Sequence, residues 1–183
     1  EAAEFARRAQ RVLGKMENLQ KPILAAVNGL ALGAGFDLAI ACDLCIASEN
    51  ATFGEPPPGL GIITPFGGSL RLPIIIGPMR TKHLFFTGET LNANAAFQFG
   101  LVNKVVKHAD LLEETNHLAN KILKRSPIAI GFSKILINSI VKENFTRWGE
   151  LEVDLYAKCF DTNDKKEGTK AFIEKRKPLF TGK

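Results

Sequence analysis

Short apolar runs alternate with amphipathic segments along the first part of the chain. Residues 2–18 carry apolar side chains at helical spacing, and residues 22–28 form a short uncharged run typical of a strand buried on both faces. After a loop of small residues, the pattern predicts a helix from about 35 to 42 and a second buried strand at 43–47. A helix between two strands favours parallel pairing. We therefore expect a βαβ unit with a short crossover.

The rest of the chain continues the α/β pattern and ends in helices. Residues 51–54 predict a short strand, and the proline-rich residues 55–61 predict an extended, stiff loop. The later predicted elements are a helix at 69–72 capped by Gly68 or Ser69, a helix at 78–86, a helix at 93–99 capped by Asn92, a strand at 101–106, and helices at 109–124, 127–142, 145–159 and 163–174. We divide the chain into an α/β part, 1–125, and a helical part, 126–183. The apolar faces of the helical part require cover from the α/β part or from a neighbouring subunit.

Composition and charge exclude several classes of protein. The chain has 183 residues, 45% hydrophobic and 23% charged, which fits one globular domain with a sizeable core. The net charge of +5 suits a polyanionic ligand, but basic and acidic residues are mixed, so a nucleic-acid surface is not expected. We also expect no membrane span and no signal peptide, and a location in the cytoplasm, or in the mitochondrial matrix of a eukaryote. A helical pattern at Glu1 without a cap suggests that further residues precede it.

Three cysteines point to a reducing compartment rather than to a disulfide framework. Cys42 and Cys45 have CxxC spacing, but no second pair or histidine cluster completes a metal site. We interpret the cysteines as core residues and expect no metal.

Residues 28–38 carry the first candidate chemistry. Gly33, Ala34 and Gly35 form a small-residue loop between a buried strand and a helix, so backbone N–H groups are accessible there and favour an anion or an oxyanion formed during reaction. Asp37 lies within reach of that position. A tight turn, with Asp37 only stabilising the helix dipole, explains the local pattern more simply. The loop alone leaves both interpretations open.

Several motifs in the same order resemble the enoyl-CoA hydratase/isomerase (crotonase) superfamily. The similarity covers essentially the whole chain. The motifs that carry it are residues 21–39 with 41–43, Phe53-Gly54, Gly67-Gly68 with 71–73, 86–88, 100–102, Glu167-Gly168, Ala171-Phe172 and 174–178. The resemblance is specific for the superfamily rather than for one reaction, since the fold hosts several reactions of acyl-CoA thioesters.

The resemblance implies an α/β spiral of ββα units, of which this chain is the C-terminal part, and a helical region that packs in a homotrimer or hexamer. It implies an acyl-CoA thioester as substrate, with coenzyme A as part of that substrate and no separate cofactor. The thioester carbonyl would lie between two N–H donors, one of them Ala34, with Gly33 and Gly35 beside the substrate. The other donor would lie upstream of Glu1. Asp37 matches the first catalytic carboxylate of the family.

The main departure from the family pattern is Pro57, which occupies the position of the second carboxylate. The resemblance implies that it contacts the substrate there, but proline cannot transfer a proton. Glu55 lies two residues earlier, but in a polyproline-like segment it would point to another side, so we interpret it first as a solvated loop carboxylate and only second as a substitute acid. Another acid position used in some isomerases falls near Pro65 or Phe66, which are not acidic. Paired-acid hydration is therefore in question.

Two residues of the helical part match positions that hold coenzyme A in relatives. Tyr156 and Lys175 correspond to groups near the adenine and the phosphates, often across a subunit boundary. Helix packing for Tyr156 and a solvated charge for Lys175 are equally simple explanations.

Together these features predict an enzyme that stabilises a thioester enolate, of the enoyl-CoA hydratase/isomerase type. One alternative is an isomerase or decarboxylase of the same superfamily that uses Asp37 alone. Another, motivated by Pro57, is a catalytically weakened acyl-CoA-binding or scaffolding protein.

Overall fold

The computed structural model describes the backbone of residues 1–182 and their side chains apart from those of 140–148 and 151. Eight α-helices and six strands are described over this range. They are α1 (Ala2–Asn18), β1 (Leu24–Val27), β2 (Leu30–Leu32), α2 (Ala34–Ile40), β3 (Leu44–Ser48), β4 (Thr52–Gly54), α3 (Gly68–Ile76), α4 (Pro78–Thr87), β5 (Thr90–Asn92), α5 (Ala93–Gln98), β6 (Lys104–Val106), α6 (Leu111–Leu123), α7 (Pro127–Cys159) and α8 (Asn163–Ile173).

The strands form two small sheets between which the chain alternates. One sheet has the order β1-β3-β6 and is parallel throughout. In the other, of order β2-β4-β5, the β2 and β4 strands are parallel and β4 and β5 are antiparallel. Each of β1 and β3 is therefore followed by a short strand of the second sheet. The predicted parallel pairing of the two buried strands is confirmed, but the segment predicted as a plain loop between them contains β2.

Further predicted elements differ from the structure, among them the strand predicted at 101–106, which spans only Lys104–Val106. Residues 55–61 are not extended, because Pro57–Leu60 forms a 3-10 helix that the left-handed Gly61 ends. The helix predicted at 69–72 spans Gly68–Ile76, so the predicted caps Gly68 and Ser69 lie inside it. The N-cap is Gly67, whose φ of 86° favours glycine. The helices predicted at 127–142 and 145–159 are one continuous helix, since no glycine or proline separates them.

The main core lies between the two sheets and the helices α2 to α5. Its buried side chains include Phe36, Phe53, Leu72 and Leu84, and the rings of Phe36 and Phe53 are 5.7 Å apart. A second cluster joins α1 to α7 through Ala6, Val153 and Tyr156. The main core thus packs α2 and α3 together, and the second cluster packs the C-terminal half of α7 against α1.

An ion pair between the buried Lys134 and the half-buried Asp43 fixes the N-terminal half of α7 to the parallel sheet. Lys134 Nζ lies 2.7 Å from Asp43 Oδ2, and it also donates to the carbonyls of Met16 and Lys21 at 3.1 and 3.3 Å. The same Asp43 oxygen accepts the Ile23 N–H at 2.7 Å. These contacts connect residues 1–125, the predicted α/β part, to residues 126–183, the predicted helical part. The division of the chain into these two parts stays a prediction.

Candidate active site

The pairing of β2 with β4 places two chain segments side by side where these strands end. Leu32 is in register with Gly54, and the Gly33 N–H donates to the Gly54 carbonyl at 3.0 Å. Glu55 follows Gly54 directly, and Asp37 lies in the first turn of α2. Both carboxyl side chains have no exposed surface. The parallel register therefore brings two buried acids to the same strand ends.

The start of α3 packs against both acids. The Thr64 hydroxyl donates to Asp37 Oδ2. A Cβ on Gly68 would overlap Asp37 Oδ1 and would lie 3.0 Å from Glu55 Oε1. Only a residue without a side chain fits between the carboxylates and the helix, so Gly68 is a packing requirement of the site.

Burial raises the pKa values of the two acids by different amounts, so that one is ionised and the other neutral. Burial raises the pKa of Asp37, while the hydrogen bond from Thr64 and the charge of Arg71 act in the opposite direction. The pKa of Glu55 is raised further, because the negative charge of Asp37 adds to the effect of burial. The proton of the pair therefore resides on Glu55, and Asp37 is the carboxylate. A neutral acid and a carboxylate side by side are the components of acid–base catalysis.

A buried cation and a third buried acid lie next to this pair. Arg71 Nε is 2.7 Å from Glu17 Oε1, and Arg71 Nη1 donates to the Phe66 carbonyl at 2.6 Å. Glu152 of α7 accepts hydrogen bonds from the Ser69 hydroxyl and from Gln10 Nε2, the latter at 2.8 Å. Burial raises the pKa of Glu152 to about 7.

The small-residue loop borders the acids on the exposed side. Gly33 precedes α2 with φ of 51° and is buried, whereas Ala34 and Gly35 are exposed. Because Ala34 is the first residue of α2, its N–H has no carbonyl partner within the helix. Pro57 is buried at the start of the 3-10 helix, and its Cγ would be 3.7 Å from a Cβ on Gly33. The predicted substrate-contacting residues Gly33, Ala34, Gly35 and Pro57 thus lie together, and their roles stay predictions.

The interpretation of Glu55 as a solvated loop carboxylate is wrong. It assumed a polyproline segment, but the 3-10 helix begins at Pro57 and Glu55 continues directly from β4 into the core. Sequence reasoning also missed Thr64, Arg71 and Glu152. A signal for Glu55 was present in the chain, because recognition of Leu30–Leu32 as a strand parallel to Thr52–Gly54 would have brought residues 37 and 55 together.

The two predicted coenzyme A contacts have different surroundings in the structure. The Tyr156 ring packs 6.3 Å from the ring of Phe5 and 5.2 Å from that of Phe160, and burial raises the pKa of its hydroxyl. Lys175 is exposed and has a left-handed φ of 53° after the end of α8. Their roles in binding coenzyme A stay predictions.

Other candidate chemistry is sparse among the described side chains. Cys45 is buried, Cys42 and Cys159 are half-buried, and all three are free thiols. No group of three or more His, Cys, Asp or Glu side chains within the described set has a metal-binding arrangement. A cleft of about 1060 Å³ between the end of α2, α3, α6 and α7 is lined by neither Asp37 nor Glu55.

Comparison with known proteins identifies the family. The sequence model of the enoyl-CoA hydratase/isomerase family matches residues 1–183. The chain belongs to the enoyl-CoA hydratase/isomerase family. It is 45% identical over 183 residues to a crotonyl-CoA hydratase of Syntrophomonas wolfei, covering all of this chain and 70% of that protein. It is 42% identical over 177 residues to a short-chain-enoyl-CoA hydratase of Clostridium acetobutylicum, covering 97% of this chain and 68% of that protein.

A solved structure supports the same assignment. The crystal structure of an enoyl-CoA hydratase from Mycobacterium avium subsp. paratuberculosis superposes with a TM-score of 0.93 at 28% identity, covering 98% of this chain and 73% of that one. The predictions of the family, of the mixed α/β crotonase fold and of an enzyme of the hydratase/isomerase type are therefore confirmed. Among the residues that the structure describes, none of the helices combines the length and the apolar composition needed to cross a bilayer.

Proposed function

We propose that this protein adds water to the double bond of a short enoyl-CoA thioester, with Asp37 and Glu55 as the acid–base pair. The observation that carries the proposal is the buried pair itself, a carboxylate and a neutral acid that both meet Gly68 beside an exposed loop of N–H groups. Pro57 removes the acid expected two residues after Glu55, and the burial of Glu55 supports it as the replacement. The names of the relatives, crotonyl-CoA and short-chain-enoyl-CoA hydratase, support the substrate class.

In the proposed reaction the thioester carbonyl accepts a hydrogen bond from the Ala34 N–H. The Asp37 carboxylate takes a proton from a water molecule as its oxygen attacks the β-carbon, and electron density moves into the thioester as an enolate. Glu55 then gives its proton to the α-carbon. One donor preorganised for the enolate oxygen contributes about 3 kcal/mol, and paired proton transfer contributes about 10²-fold to 10⁴-fold. The two acids exchange their protonation states in each turnover and re-equilibrate through solvent.

An isomerase is the second candidate, and Pro57 is the observation that favours it. If Asp37 alone transferred protons, it would remove a proton from one carbon of a β,γ-unsaturated acyl-CoA and return it to another. No water would be added. Glu55 would then stay protonated and take no part in the proton transfer. The two candidates differ in their product, since hydration consumes the conjugated thioester and isomerisation forms it.

We also propose that the protein assembles through α7. Ile128, Phe132 and Leu136 are spaced four residues apart, so they share one face of the helix, and their exposed fractions are 67%, 58% and 70%. Such a contiguous apolar stripe marks an interaction surface. A homotrimer would cover it, and sedimentation velocity of the wild type and of Phe132→Asp tests this, with a trimer for the first and a smaller species for the second. A monomeric wild type would contradict the assembly.

The proposed reaction is tested with crotonyl-CoA. Loss of the absorbance of the conjugated thioester is followed for the wild type and for Asp37→Asn, together with coenzyme A binding by calorimetry. We expect turnover by the wild type and none by the variant, with binding retained. Binding without turnover by the wild type would instead favour the weakened acyl-CoA-binding or scaffolding protein. Full turnover by Asp37→Asn would remove Asp37 from the mechanism.

A further inference from the structure

A third buried carboxylate lies on α7 and is connected to the acid pair by a short chain of contacts. Glu152 is 3% exposed, and its two oxygens have different partners. Oε1 accepts from the hydroxyl of Ser69, the second residue of α3, and Oε2 accepts from Gln10 Nε2 of α1 at 2.8 Å. The residue before Ser69 is Gly68, which packs against both Asp37 and Glu55. The residue that contacts Glu152 and the residue that contacts the acid pair are therefore adjacent in α3.

We propose that Glu152 is a positioning residue, which holds the start of α3 against the Asp37–Glu55 pair through Ser69 and whose charge opposes ionisation of that pair. The inference rests on the proposed function for its catalytic consequence. It assigns to α7, in the helical part, an influence on two acids of the α/β part, Asp37 after β2 and Glu55 after β4.

The geometry supports both parts of this role. The N-terminus of α3 has no side-chain cap, since Gly67 and Gly68 lack the groups for one, and the Ser69–Glu152 bond is thus a side-chain tether at this end. Gln10 in turn orients Glu152, because its Nε2 also donates to the Gly149 carbonyl of α7 at 3.3 Å. Neighbouring hydrogen bonds therefore hold the carboxylate of Glu152 on two sides.

The charges around Glu152 show why its ionisation matters to the pair. Asp37 and Glu55 both interact with it unfavourably when charged, and Arg71 interacts favourably. Arg71 is itself bound to Glu17, so its charge is shared. The other titratable side chains described near Glu152 on α7 are the exposed Asp154, the buried Tyr156 and Glu150, which pairs with Arg7 at 3.4 Å on the surface. Because Arg71 divides its charge between Glu17 and these acids, a negative Glu152 disfavours further negative charge on the pair.

The test is a pH titration of the protonated carboxyl band by infrared spectroscopy, in the wild type and in Glu152→Gln. The glutamine has nearly the same shape and can still accept from Ser69, so the variant removes the charge. Glu55→Gln and Asp37→Asn assign the band to the pair. We expect the apparent pKa of the pair to fall by roughly one unit in Glu152→Gln. The limb of the pH profile of kcat that reports the pair should move in the same direction.

The matched control is Glu150→Gln, the same change on the same helix at an exposed position, which should leave the titration unchanged. Gln10→Met is a second variant with Glu152 intact: it removes one donor to the carboxylate, favours neutral Glu152 and should give a smaller shift in the same direction. An unchanged titration in Glu152→Gln, with any loss of kcat independent of pH, would overturn the inference and leave Glu152 a packing residue. A wild type without turnover would refute the proposed function, while the infrared titration would still decide the role of Glu152.

Discussion

Gly68 offers the sharpest perturbation of the site, because the space beside it is occupied by the two acids. In Gly68→Ala the new methyl group would overlap Asp37 Oδ1 and lie 3.0 Å from both Asp37 Cγ and Glu55 Oε1. The acids are fully buried, so one of them or the start of α3 must move. A displacement of about 1 Å in a catalytic constellation lowers the rate by about 10²-fold.

The stability of Gly68→Ala is expected to change less than its activity. Overpacking a buried site costs about 1–3 kcal/mol, and replacing a helical glycine by alanine returns at most about 0.5–1 kcal/mol. A net loss of about 1–2 kcal/mol leaves a folded protein for assay. We therefore expect a normal far-UV spectrum, a modest fall in the urea midpoint and a kcat for crotonyl-CoA lower by about two orders of magnitude.

Gly14→Ala is the matched control for this experiment. Gly14 lies inside α1, and a Cβ there would meet nothing within 4 Å. The same substitution should therefore stabilise the protein by about 0.5–1 kcal/mol and leave kcat unchanged. If Gly68→Ala were to keep both the stability and the kcat of the wild type, the close packing of α3 against the acids would not exist and the reasoning would be refuted.

Three further predictions concern stability, pH and substrate binding. Lys134→Met should lower the free energy of unfolding by about 3 kcal/mol, since it leaves the half-buried Asp43 carboxylate without its cation. Urea unfolding measures this change, and a loss below about 0.5 kcal/mol would contradict the prediction. Because the pKa of Glu152 is raised from 4.5 to about 7, the native state binds more protons, and unfolding free energy should fall as pH rises between these values, by on the order of 3 kcal/mol. Glu152→Gln should flatten that slope, and an equal slope in both proteins would contradict the assignment. Lys175→Glu should raise KM for crotonyl-CoA several-fold at constant kcat, unlike the exposed control Lys82→Glu; equal KM values would leave Lys175 a solvated charge.

The sequence predicted most elements correctly because their signals are local. The apolar run before Asn28, the Asn92 cap and the N-terminal helix each depend on residues within one or two turns, and the structure confirms them. The strand β2 was missed because three residues next to a glycine-rich loop carry too little pattern, and only its pairing with β4 defines it.

Of the proposed acid pair, Asp37 could be predicted from the sequence and Glu55 could not, because local pattern describes only residues close together in the chain. Asp37 lies in a motif that its neighbouring residues define. The role of Glu55 depends on Asp37, a partner 18 positions away, which the register of Leu32 with Gly54 brings close. Glu152 is further still from the acids in sequence, and only the packing of α7 on α1 and α3 brings it near. Long-range register and helix packing are the information that local pattern does not contain.

The most direct test of the account is the steady-state hydration of crotonyl-CoA by Glu55→Gln. The control is Glu49→Gln, the same change at an exposed position just before β4. If Glu55 holds the proton that the enolate receives, kcat should fall by about 10²-fold or more while coenzyme A binding is kept, and the control should match the wild type. A Glu55→Gln protein with the kcat of the wild type would contradict the paired-acid mechanism.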